Sequence, residues 1–126
     1  MDFNTYLSRM RDLVNEYEAL IDRLKLAKGK ATSGDTALLK SIIPYLDKLA
    51  IKTEKIFQEY DTYKNMKENG LATKYLITYY SYLQLVSIPY TIDILNDIEK
   101  ILAKNNSEEL VMEIDALIGK YRKLTA

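Results

Sequence analysis

Residues that stop helices are scarce in this chain: its 126 residues include only four Gly and two Pro. These two types punctuate regular structure most strongly, so a chain so poor in them divides into a few long segments. Between the stops, apolar residues return every three or four positions. Leu7, Met10, Val14, Tyr17, Ile21 and Leu24 keep that alternation, the mark of a helix that buries one stripe. The spacing predicts helix 1 over about residues 4–28, Gly29 as its C-terminal stop and 30–34 as a loop.

Asp35 or Ser33 is placed to cap helix 2, whose seam reads Leu39, Ile42, Leu46, Leu49, Ile56, Tyr60 and Tyr63, with Thr53 as its polar interruption. Pro44 falls inside that seam without changing its register, which predicts a kink near Ile43. The helix is expected to end before Glu68-Asn69-Gly70. Helix 3 is harder to read, because residues 75–92 are rich in Tyr, Ile, Val and Thr, which favour strands. Periodicity and length decide for a helix over about 71–104, with a strand pair as the alternative, since the run shows no strict alternation and no turn signal until Pro89. Leu76, Tyr80, Leu83, Tyr90, Ile94, Ile98 and Ile101 keep helical spacing, and Pro89 predicts a kink near Ser87. Asn106 with Glu109 forms a capping box for helix 4, whose seam is Leu110, Ile114, Leu117, Tyr121 and Leu124. Short connections force antiparallel neighbours. The expectation is one all-α domain over residues 1–126, an antiparallel up-down-up-down four-helix bundle with long helices 2 and 3 kinked at Pro44 and Pro89, countable as five or six helices.

Composition narrows the chemistry. The chain has no Cys, His or Trp, which removes thiolate nucleophiles, disulfides, imidazole acid-base catalysis and metal ligation by sulfur or imidazole. Gly29 to Thr36 carries the glycine spacing of a phosphate-binding loop, but Asp35 stands where that motif needs Lys. Carboxylates sit at i, i+4 in Asp12/Glu16, Asp93/Asp97 and Glu109/Glu113, with Arg9, Arg11, Lys100 and Lys120 spaced to neutralise them. They read as solvated faces. No catalytic residue, metal or cofactor is expected, and the chain reads as non-enzymatic.

The N-terminus has neither a basic nor an apolar leader region, so the expected location is cytoplasmic. Two Gln and no Cys lean toward a heat-adapted source, and seven Asn lean the other way. Charge is balanced overall, 18 basic against 18 acidic side chains, but unevenly spread. Residues 75–92 hold no charge at all. Their length would suit a membrane span, yet five Tyr, two Thr, two Ser, Gln84 and Pro89 make the stretch too polar for one. A helix buried by its own bundle or by a second chain is the better account.

Tyr75, Tyr79, Tyr82 and Tyr90 share one stripe of helix 3, and folding back at Asn69-Gly70 sets Tyr63 opposite Tyr75 and Tyr60 opposite Tyr79. Tyrosine offers large area at low entropy cost and a hydroxyl that tolerates a wet edge. Tyr60, Tyr63, Tyr75, Tyr79, Tyr82 and Tyr90 are therefore the expected protein interface, for self-association or for a place in a larger assembly. A weaker alternative gathers Arg23, Lys25, Lys28, Lys30, Lys40, Lys100 and Lys104 at one pole, where they would touch a nucleic-acid backbone. By fold-level analogy alone, small helical bundles of that kind serve as subunits of ribonucleoproteins such as CRISPR effectors, or as viral accessory or structural proteins.

Overall fold

A computed structural model describes residues 1–66 and 70–125. Among them the chain is helical and contains no strand. Its elements are α1 (Phe3–Thr32), α2 (Ala37–Gln58), the short α3 (Tyr60–Lys64), α4 (Leu71–Tyr82), a π-helical turn (Leu83–Ser87), α5 (Ile88–Lys104) and α6 (Glu108–Arg122). Helix α1 is the central rod, packing against α2, α4 and α5, while α6 closes over α5 and α2.

Helix α1 starts where the Asp2 carboxylate accepts the Thr5 N–H at 2.8 Å, satisfying one of the free donors of the first turn. It does not stop at Gly29. Ala27 and Ala31 continue the buried seam, and that packing outweighs the cost of about 1 kcal/mol for glycine in a helix. The stop falls at Gly34, whose φ of +87° needs a residue without a side chain. The Gly34 N–H donates to Ala31 O at 2.9 Å and the Asp35 N–H to Lys30 O at 3.0 Å, the paired bonds of a Schellman end. Asp35 then accepts the Ala37 N–H at 3.1 Å as α2 begins.

The end of α5 repeats this geometry with Asn106 at φ +59°. Ser107 N–H donates to Leu102 O at 3.0 Å and Asn106 N–H to Ala103 O at 3.3 Å. Asn106 thus terminates α5 instead of capping α6, whose N-cap is Ser107 and has no side-chain cap. The Asn105 amide donates to Ala31 O at 3.2 Å, tying the C-terminal ends of α1 and α5 together.

Helix α2 passes through exposed Pro44 without interruption. A break comes further along, at Glu59. There the Ile56 carbonyl accepts both the Tyr6 hydroxyl and the Glu59 N–H, so it no longer serves a regular next turn, and α3 starts afresh. The expected end of helix 2 at Glu68-Asn69 lies outside the described residues.

Residues 71–104 are helical throughout, but the turn Leu83–Ser87 is π-helical and ends just before Pro89. A π turn holds one more residue than an α turn. Its wide loop accommodates a proline that has no N–H to give. The extra residue also shifts the register of everything after it. Thr91 and Leu102 are fully buried, whereas Tyr90 is exposed and Ile101 only half-buried; the even spacing of the sequence had put Tyr90 and Ile101 on the seam.

The core holds tyrosines whose hydroxyls are satisfied by backbone or by Thr53. Tyr17 Oη lies 2.8 Å from Thr53 Oγ1, which in turn donates to Leu49 O at 2.7 Å. Tyr121 donates to Leu46 O at 2.7 Å, and the Tyr17 and Tyr121 rings meet edge to face with centroids 6.3 Å apart. Thr53 is thus the acceptor that lets a buried phenol sit in an apolar core. Burial pushes the Tyr6, Tyr17 and Tyr121 phenols well above their ordinary value.

Candidate protein-interaction face

The six tyrosines expected at an interface divide into two groups. Tyr60 and Tyr63 are buried. Tyr60 stacks on Tyr80, with centroids 3.7 Å apart and planes 8° from parallel. Tyr63 stacks on Tyr6 at 4.1 Å and donates its hydroxyl to Met1 O at 2.7 Å. Neither ring faces the partner expected for it, and neither is available to another chain. The reason is visible in the seam of helix 2: both residues continue the periodicity of Leu46, Leu49 and Ile56, and so follow those residues inward.

Tyr75, Tyr82 and Tyr90 are exposed, at 51%, 40% and 41%, while Tyr79 is half-buried against the core. The exposed three are not isolated. With Leu71 and Val86 they form one apolar stripe along α4, the π turn and α5, and Leu85, the most exposed large apolar side chain at 77%, borders it. The π turn keeps this stripe straight. In an uninterrupted α-helix, each residue advances about 100°, so removing the extra residue would carry Tyr90 about that far round toward the core. Leu71, Leu85 and Val86 were not anticipated as surface residues, although Leu85 and Val86 stand between the seam positions Leu83 and Tyr90.

The outer rim is polar. Lys25 of α1 places its ammonium 4.9 Å from the Tyr90 ring centroid, a cation–π contact. Hydrogen bonding to Tyr90 raises the Lys25 pKa above its ordinary value. Lys74 and Asp93 flank the uncharged stretch, both exposed, and neither forms an ion pair among the described residues.

The basic residues assigned to one pole differ in their surroundings. Lys28 pairs with Asp97 at 3.1 Å, and Lys25 is held over Tyr90. Arg23 is exposed on α1. Lys40 lines an open groove of about 820 Å³ between α2 and the start of α6, where Glu108, Glu109 and Glu113 surround it with negative charge. Lys30, Lys100 and Lys104 are exposed and form no ion pair among the described residues.

Among the described residues no cluster of three or more acidic side chains is placed to hold a metal ion. No helix of the described residues is long and apolar enough to cross a membrane. No family model, no curated protein and no solved structure matches this chain.

Proposed function

We propose that the chain is a helical interaction protein, non-enzymatic in itself, that docks a protein partner on the α4/α5 face. In this reading the domain is an antiparallel up-down-up-down four-helix bundle whose rods are α1, α2 with α3, α4 with α5, and α6. The observation that carries the proposal is the run Leu71, Tyr75, Tyr82, Leu85, Val86 and Tyr90, exposed together on one helical face whose residues 75–92 carry no charge. Contiguous apolar patches beyond a few hundred Å² are uncommon on monomers and mark interaction sites. Isolated exposed side chains such as Ile51 and Met112 carry no such meaning.

Side-chain footprinting of the native assembly tests this. Leu71, Tyr75, Tyr82 and Leu85 should be protected while Ile51 and Met112 stay reactive. Equal labelling of both sets would overturn the proposal.

A further inference from the structure

We infer that the occupant of the α4/α5 face is a second copy of this chain, docked antiparallel about a two-fold axis. The inference rests on the reading of that face as an interaction surface and adds the identity and orientation of the partner.

Three observations carry it. The first is area. The six exposed side chains of the stripe offer about 600 Å² per copy, so pairing two copies would bury about 1,200 Å², the threshold of a standard stable interface. Rim residues add to that.

The second is self-complementarity. A two-fold interface brings one patch against itself, so every charge on it meets a symmetry-related neighbour. Residues 75–92 contain no charge, so apart from Lys25, whose ammonium sits over Tyr90 at one end, that part of the patch can close on itself without burying an unpaired ion. Tyrosine suits such a contact, because its ring can be covered while its hydroxyl reaches water at the edge.

The third fixes direction. Lys74 and Asp93 are equally far along the chain from the midpoint between Leu83 and Gln84, and Tyr82 and Leu85 straddle that same midpoint. Antiparallel pairing about it sets Tyr82 against Leu85 of the partner subunit and Lys74 against Asp93 of the partner subunit, at both ends of the contact. Parallel pairing would instead set lysine against lysine and aspartate against aspartate, which is unfavourable. The charges that bracket residues 75–92 thus act as a register lock at the rim.

Sedimentation equilibrium of the full chain across a wide concentration range tests the inference. The wild type should be a dimer. Leu85→Asp should weaken it at least tenfold without changing the helical signal, because Leu85 is 77% exposed. Lys74→Glu alone and Asp93→Lys alone should each weaken the dimer, and the double variant, which restores both pairs with exchanged signs, should recover most of the loss. A monomer at every concentration overturns the inference. A dimer indifferent to Leu85→Asp overturns it too, and a dimer in which the charge swap gives no recovery overturns the antiparallel register. The underlying reading fails separately. If the stripe is protected in the native assembly while the pure chain is monomeric, the partner is a different protein and only the self-pairing is lost. If the stripe is unprotected, both are lost.

Discussion

Tyrosine serves opposite ends in two regions of this molecule. At the centre, Tyr6, Tyr17 and Tyr121 are completely buried, and each hydroxyl has a partner supplied by α2: the carbonyls of Ile56 and Leu46, and the Thr53 hydroxyl. On the α4/α5 face, Tyr75, Tyr82 and Tyr90 keep two-fifths or more of their surface in water. What separates the two groups is the supply of an acceptor where the ring falls. A phenol can be buried only if its hydroxyl is bonded, since an unsatisfied one costs about 1 to 3 kcal/mol. Helix α2 meets that need for α1 and α6.

The comparison is broken most forcefully by removing a ring from each region. Tyr121→Ala should cost about 3 to 5 kcal/mol in urea unfolding, through lost burial and the cavity left against Tyr17. Tyr82→Ala, measured in the monomeric Leu85→Asp background, should change stability by less than about 0.5 kcal/mol. Comparable losses at both sites would erase the distinction.

Alkaline titration sharpens the same contrast. In the folded chain Tyr6, Tyr17 and Tyr121 keep their protons at a pH where the unfolded chain releases them, because burial has raised their pKa values. The unfolded state then binds fewer protons. This contribution to stability is therefore fully present below about pH 10 and is lost as pH rises further. The urea midpoint should fall steeply above about pH 10, and tyrosinate absorbance from these rings should appear only with unfolding. Ionisation of every tyrosine without loss of helix would contradict the burial.

A finer test deletes only the hydroxyl. Tyr17→Phe should cost about 1 kcal/mol, because Thr53 keeps its bond to Leu49 O. Tyr75→Phe in the monomer background should have no measurable effect on unfolding.

The smallest expected effect lies outside both tyrosine sets, where α5 meets α6. Partial burial and the neighbouring Asp115 carboxylate hold Glu99 above its ordinary pKa. The folded chain therefore binds that proton more tightly than the unfolded chain, and stability declines as pH rises from the ordinary glutamate value through the raised one. Glu99→Gln should flatten that slope and slightly raise the midpoint at neutral pH; an unchanged slope would refute the coupling.

The all-helical character was legible because apolar spacing and the scarcity of Gly and Pro pointed the same way. Element ends were less so. Gly29 and Gly34 are equivalent as letters, and what distinguishes them is that Ala31, beyond the first, has a buried place to go. Asn106 fits a capping box in sequence, but its left-handed backbone serves the helix before it. For the interface, the seam of helix 2 already contained Tyr60 and Tyr63, so their periodicity was a stronger guide than their chemistry. The outward turn of Tyr90 was not legible, because a π turn is set by the balance of Pro89 against packing on both sides, and no single residue announces it.

That turn has a consequence for how such a chain can change over generations. Deleting one codon within Leu83–Ser87 would return the segment to ordinary α geometry, rotating α4 by about 100° against α5. The stripe would split into two misaligned halves, one still at the surface and one carried toward the core. A change of one residue in length is thus a far larger perturbation here than most substitutions, and tolerance to insertion or deletion should reach its minimum at this turn.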